Sequence, residues 1–546
     1  MIRKLTYILA IASAFSGLSL KAQLTVNGAQ LFIQAGAVIT VQGDVTGTTD
    51  ILGPGKILLQ GSVNQNVDMG GFTIPVLEIN NAAGATLTGN TRIGTSLTFT
   101  SGKIKTGNFD LALANVATFS GAGTSKFIET TGTGQVFKEV NANISSNEIP
   151  VGAGISYRPA FLTTLGTYNS TAKIGIRLLA VADPNRPPKL SDYINAYWPI
   201  TKTGITGTVT VAGQYIDPAD ITSGAETNLR GYYFNGTDWS SSGETHNNAT
   251  NQISAPITAL SGNLTALDKF DLLKAKVFLQ GAYNTSTGVM SDALRTPTNL
   301  IPLSDPYRTA PYNSSFTHVA NAITEVAAGS VFSNQASTND NIVDWIFLEL
   351  RSTTVSPGNT VLQTRSALVQ RDGEIVDIDG VSPVTFNNVA SANYTIAVRH
   401  RNHLGLSSDP STFKPLLGET KSTASLVDYT IQTDPNLYGP STAYLVATDG
   451  KNVLWSGDIN NNGFVRYQGS NGPTGPNDRV VLLQDLSNNE TNVLNIYSRG
   501  DVNLNTFTRY QGSNGPPPAG LNDRLWILQQ ALGNSEITVR TQSLPN

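Results

Sequence analysis

The 546-residue chain has no cysteine, only four histidines, and charged residues make up just 14% of it. Without cysteine there is no disulfide framework, no lipid-modified N-terminal cysteine and no thiol nucleophile or thiolate metal ligand. So little charge argues against both a long helical protein and a charge-rich disordered one. The net charge is −4, the pI is near 5.7 and no basic run stands out, so nothing is set up to neutralise phosphates and nucleic acid is not an expected partner. Also missing are a nucleophile elbow, a zinc motif and a phosphate loop. Beyond residue 20 no apolar stretch is long enough to span a bilayer, so no transmembrane segment is expected in the mature chain.

What is present is glycine (51), proline (26) and an abundance of Ser, Thr, Asn and Gln to cover the surface. At roughly 100–200 residues per domain, the length implies about three to five domains. Arg3 and Lys4 precede an apolar stretch from Leu5 to Leu20, and Lys21-Ala22-Gln23 offers a cleavage point after Ala22. Residues 1–22 therefore read as a signal peptide, the alternative being a membrane anchor. The stretch is interrupted by Ser13, Ser16, Gly17 and Ser19, which favours the signal. The expected location is secreted, extracellular or at the cell surface, with the periplasm as an alternative.

The body reads as mainly β. From Leu24 to Val140 short apolar runs recur between glycines, among them Ala37–Val41, Lys56–Leu59, Pro75–Ile79, Ser96–Phe99 and Asp110–Leu113. Their near-twenty-residue spacing suggests a β-solenoid over 23–145, with an antiparallel sandwich as the alternative. After Ile149-Pro150-Val151-Gly152 the strands lengthen, as in Ala172–Arg177 and Gly207–Val211, and Asn235-Gly236 offers a hairpin turn. A β-sandwich-like domain is expected over 146–275 and a second over 276–420. The Pro-rich stretch from Pro302 to Pro311 is expected as a loop over the second.

Residues 421–546 carry the visible chemistry. Asp458, Asn460 and Asn462 alternate, Gly463 stands sixth and Phe464 seventh, whose carbonyl is available as a ligand. Such a loop turns successive oxygens onto a hard cation, and the glycine permits the positive φ at its bend. The pattern recurs 43 residues later as Asp501, Asn503, Asn505, Thr506 and Phe507. The heptapeptide Tyr467–Pro473 is repeated identically at Tyr510–Pro516. Each copy continues into Asn-Asp-Arg, with Asp478 and Asp523, and then an apolar helix-like run. The implied cofactor is Ca2+. The alternative is a pair of Asx-turns with Asp478 and Asp523 as helix N-caps.

Over about its last hundred residues the chain resembles a dockerin, a module of two calcium loops each followed by a helix. The acidic residue usual at the twelfth position is displaced by the Gly/Pro-rich insertion, so Asp478 and Asp523 serve only by folding back, and Thr506 replaces a glycine. With Asn at the third and fifth positions the site carries little negative charge, which suggests affinity of roughly 10⁻⁴–10⁻³ M. More broadly the chain resembles secreted, multidomain haemagglutinin-type surface proteins of Bacteroidota. Leu279–Asn284 with Met290-Ser291-Asp292, Val343-Asp344-Trp345, Arg371–Asp377 and Val398–Leu404 carry that likeness. It implies adhesion or carbohydrate-linked binding at a cell surface, with a glycan or surface protein as ligand and a cohesin-like or self-association partner for the module.

Other constellations have plainer readings. His400 and His403 follow a strand-like alternation with no third ligand nearby, which points to structural or surface histidines. Asp372, Glu374, Asp377 and Asp379 could form a cation site or a catalytic pair, but Asp372-Gly373 between apolar residues also reads as a hairpin turn. Arg499-Gly500-Asp501 matches an integrin-recognition tripeptide that shares Asp501 with the loop. The expected function is a non-catalytic adhesin. Its alternatives are a polysaccharide-acting β-helix enzyme with a docking module and a polymerising surface fibre, marked by unpaired strand edges.

Overall fold

A computed structural model describes the chain except residues 1–21, 188, 189, 191, 223–225, 241–245, 297, 354–358, 390, 391, 412–416, 418–422, 432–436, 470–474, 514–519 and 546. The expected signal segment, the 420/421 boundary and parts of both heptapeptides thus lie outside the described residues. The protein is mainly β, with 45% strand and 6% helix, and begins as a β-solenoid of about 6 turns. No helix among the described residues is long and apolar enough to cross a membrane.

Two parallel ladders build the solenoid. In the first, Gln65, Ala85, Ile104, Ile128 and Val151 stand in register, one per coil. In the second, Ile57, Leu77 and Leu97 align, as do Leu59, Ile79 and Phe99. Partners lie from 18 residues apart (Val38 and Lys56) to 25 (Leu111 and Val136), the drifting twenty-residue period of the sequence. Every side chain in these columns is buried. Stacking repeats each outward position at about 4.8 Å, so like charges would face one another along a column, which is why charge is scarce here. Where charges occur they alternate, as with Lys56 and Glu78 at 2.6 Å or Arg92 and Glu139 at 2.7 Å.

The second ladder continues without a break. Val136–Glu139 pairs antiparallel with Ala160–Ile176, which pairs over its length with Trp198–Gln214, and that strand pairs with Ser261–Asp268. The result is one 15-stranded sheet and a hydrophobic core that runs from Val26 to Ala266. The expected 145/146 division falls within the strand Ile144–Ile149 of this sheet.

Phe270–Lys276 opens a second sheet, with Ile342–Arg351 and Val361–Gln370 near its middle and the hairpin Thr395–His400/His403–Ser407 at one end. Ile342–Arg351 has nine buried residues in a row rather than an alternating pattern, because both faces are covered. The segment containing Pro302–Pro311 covers one face, where Tyr307 donates to the Trp345 carbonyl at 2.9 Å and Trp345 Nε1 donates to the Pro302 carbonyl at 2.8 Å. The C-terminal residues pack against the same sheet. They contain helix α1 (Asp478–Asp485) and helix α2 (Asp523–Trp526), which runs into a π-helical turn, and a small core of Trp455, Ile459, Leu482, Val502 and Ile527.

Candidate metal centre

The two C-terminal loops fold identically around buried carboxylates. Asp458 accepts from the backbone N–H of Asn462 at 3.0 Å and of Gly463 at 3.1 Å. Asp501 accepts from Asn505 at 3.0 Å and Thr506 at 2.9 Å. Asn462 Oδ1 then accepts from Phe464 N and Asn505 Oδ1 from Phe507 N, each at 3.0 Å. The bend requires left-handed backbone at two positions per loop, Asn461 and Gly463 in the first, Leu504 and Thr506 in the second. Thr506 adopts φ 82°, as Gly463 does, so the missing glycine leaves the geometry unchanged and costs strain instead.

Asp478 and Asp523 do fold back. Asp478 accepts from Ile459 N at 2.9 Å and Arg466 N at 2.8 Å; Asp523 accepts from Val502 N at 2.9 Å and Arg509 N at 2.7 Å. Each therefore lies across the mouth of its loop, beside Asp458 or Asp501. Neither is a helix N-cap, which corrects that alternative. Asn477 and Asn522 cap the helices by accepting from Val480 N and Leu525 N, and the aspartates are the first helical residues, freed to point into the loop.

Electrostatics single out these four groups. Burial pushes the Asp458 carboxyl up to about 7 and that of Asp501 up to about 6. Asp478 and Asp523 are raised well above the carboxylate range, first by burial and then by the charge of Asp458 or Asp501 alongside. Among the described residues no Lys, Arg or His side chain forms an ion pair within 4.0 Å with any of the four, although the charges of Arg399 and Arg401 offset part of the rise at Asp458 and Asp501. The neighbouring arginines stack on rings instead: Arg466 over Phe464 and Arg509 over Phe507, Arg479 over Tyr467 and Arg524 over Tyr510.

The amides at the third position complete the set. Asn460 Nδ2 donates to the Pro476 carbonyl at 2.8 Å and Asn503 Nδ2 to the Leu521 carbonyl at 2.9 Å, which turns each amide oxygen toward the loop interior. Asn503 is 5% exposed and its Oδ1 receives no hydrogen bond among the described residues. Two carboxylates with amide oxygens, and no nitrogen or sulfur ligand among the described residues, are a donor set that suits a hard divalent cation.

The remaining candidates resolve into structural roles. Asp372-Gly373 is a hairpin turn, Gly373 adopting φ 89°, with Asp372 and Glu374 each 3.2 Å from Lys276. Asp377 is buried against Arg365 at 2.7 Å. Arg499 is tied to Asp485 and Asp501 is fully buried, so the tripeptide is not displayed. His400 and His403 are buried ring against ring with their Nδ1 atoms 3.0 Å apart. Since Gly281 N donates to His403 Nε2 at 3.1 Å, the proton of His403 sits on Nδ1, and that of His400 sits on Nε2, donating to Asp344 at 3.1 Å. Burial lowers the pKa of both rings, in keeping with this neutral chain.

One group escaped the sequence. Asp305, His318 and Glu325 bring ligand atoms within 4.8 Å of one another. Arg308 reaches the Asp305 and Glu325 carboxylates at 3.3 and 3.5 Å, and Arg365 reaches Glu325 at 3.3 Å. Two guanidinium groups thus neutralise two carboxylates where a cation would sit, and the group is a buried ion-pair network. Nothing in the spacing of these residues marks it. No family model, curated protein or solved structure matches this chain.

Proposed function

We propose that the chain is a secreted, non-catalytic adhesin of the cell surface that binds a glycan or a surface protein, and that its C-terminal module binds two Ca2+ ions. The carrying observation is the pair of duplicated loops, each with two adjacent buried carboxylates and, among the described residues, no side-chain cation in ion-pair contact with them. A bound cation would balance this charge and hold the carboxyls ionised at neutral pH, where burial otherwise favours their protonated form. Asp458, Asn460, Asn462 and Asp478 would hold the first ion and Asp501, Asn503, Asn505 and Asp523 the second, with the Phe464 and Phe507 carbonyls. Calcium suits them better than zinc, which selects His and Cys. For the ligand, the best-supported surface is a cleft of about 780 Å³ between the two large sheets, lined by Arg186, Phe234, Asp238, Trp239 and Asp379. Its mixture of aromatic rings with charged groups suits a polar, ring-shaped ligand.

The test has two arms on the full chain lacking its first 22 residues. Isothermal titration is expected to find two calcium ions per chain, one lost in Asp458→Ala and the other in Asp501→Ala. A glycan and surface-protein array is expected to give saturable binding that Asp238→Ala with Asp379→Ala abolishes. No calcium uptake at millimolar concentration removes the metal reading, and an unresponsive array removes the adhesin. The fibre reading retains one observation in its favour: Leu24–Val26 and Val38–Val41, at the start of the solenoid, pair on one side only among the described residues.

A further inference from the structure

The Val398–Leu404 segment, whose His400 and His403 form a buried structural pair, supplies no residue to either cation loop, although it carries part of the resemblance noted in the sequence. Its strands Thr395–His400 and His403–Ser407 meet at Arg401 and Asn402. A charged residue and an amide at a hairpin tip ordinarily face water, yet both are fully buried. What buries them is the pair of cation loops. The Asn402 carbonyl accepts from Gly457 N at 2.8 Å, the residue before Asp458. Its Nδ2 donates to the carbonyls of Asp501 at 2.7 Å and Arg499 at 3.0 Å. A single residue thus holds the opening of both loops.

The tip is held rigidly. Arg401 Nε donates to Asp344 at 2.9 Å, its guanidinium lies 4.4 Å over the Tyr497 ring and also donates to the Ser498 carbonyl, and Tyr497 donates to Asp344 at 2.7 Å. The Asn402 amide oxygen is 2.8 Å from His403 Nδ1, which fixes its rotamer. The neighbouring turn is fitted as closely: a Cβ on Gly281 would lie 2.3 Å from the Val502 carbonyl, so only glycine allows that approach. Beside it, Gln280 accepts from Ser456 and donates to the Gln530 carbonyl at 2.9 Å.

We infer that the Arg401–Asn402 tip is a docking site, within the same chain, for the cation-loaded form of both loops, so that calcium occupancy sets how firmly the C-terminal module is held to the preceding sheet. This rests on the calcium reading above. Asn402 is neutral and presents one fixed amide, so it recognises the shape of the loops and not their charge. The Asp501 and Arg499 carbonyls meet that amide together only while the second loop is wrapped. When both are ionised and no cation lies between them, two adjacent carboxylates repel and weaken the wrapped loop. The loop face of the module is consequently committed to its own chain, and a separate cohesin-like receptor would have to use another surface.

Hydrogen exchange on the full chain, with and without calcium, tests this, with calcium binding measured in parallel by titration. Amides of 279–283 and 400–407 are expected to exchange about tenfold more slowly when free calcium is about ten times the Kd, while the solenoid strand Thr73–Asn80 is unchanged. In Asn402→Ala, calcium still binds and the calcium-dependent protection of 400–407 disappears. Should that variant fail to fold, Asp501→Asn, which disables only the second loop, is expected to lose most of the protection at 279–283. Calcium uptake with unchanged exchange in the wild-type chain overturns the docking role and leaves the calcium reading standing. Absence of uptake removes both.

Discussion

At the residue scale, the second loop is the informative one. Thr506 stands at φ 82° and Leu504 at φ 52°, where a side chain costs roughly 1–2 kcal/mol relative to glycine. Thr506→Gly is therefore expected to stabilise the chain by about 1 kcal/mol in urea unfolding and to tighten calcium uptake at the proposed second site. Gly463→Thr is expected to do the reverse at the first site. The Asp344 network sets a pH dependence. Burial alone would raise this carboxyl, but Arg401 and the hydrogen bonds of His400 and Tyr497 bring it down to about 2. A depressed carboxylate adds stability above its ordinary value of 3.8, and that contribution disappears as pH falls through about 2. The buried neutral histidines act at higher pH. Their folded pKa values lie below 6.5, so the unfolded chain takes up protons first and stability declines as pH drops below 6.5. Urea midpoints against pH, at saturating calcium, are expected to show both declines, the upper one flattened in His403→Gln.

At the element scale, the duplicated Asn-Asp pair divides two tasks that the sequence leaves merged. Asn477 and Asn522 satisfy the helix starts and the aspartates serve the loops. Asn477→Ala is expected to cost about 1 kcal/mol of stability while calcium stoichiometry is retained. Asp478→Asn is expected to lose the first ion with the helix intact by circular dichroism. The opposite pattern would restore the aspartates as caps. Strand Ile342–Arg351 teaches a related lesson: a run with no alternation belongs to a sheet covered on both faces, here by the segment containing Pro302–Pro311 and by the C-terminal module.

At the scale of the whole molecule, the solenoid and the antiparallel strands after it share a sheet and a core. A cavity in the ladder should therefore be felt beyond the coil that carries it. Leu77→Ala, in the column with Ile57 and Leu97, is expected to cost about 2–5 kcal/mol and to lower the unfolding midpoint of the Ala160–Ile176 region together with that of the solenoid, as followed by hydrogen exchange. Separate transitions would mean that the continuous sheet does not confer cooperativity.

The strands, the twenty-residue period, the duplicated loops and the helices behind them were legible in the sequence because each is a local pattern: alternation, turn residues at bends, oxygen residues at fixed spacing. Tertiary structure alone decided the rest. Parallel pairing between coils, the return of Asp478 and Asp523 to their loops across 20 and 22 residues, the neutralised Asp305–His318–Glu325 group and the burial of Asn402 between two loops all depend on contacts between distant segments. Alternation is the same whether a strand pairs parallel or antiparallel, and a carboxylate carries no sign of the residue it will face, so only the folded chain could place them.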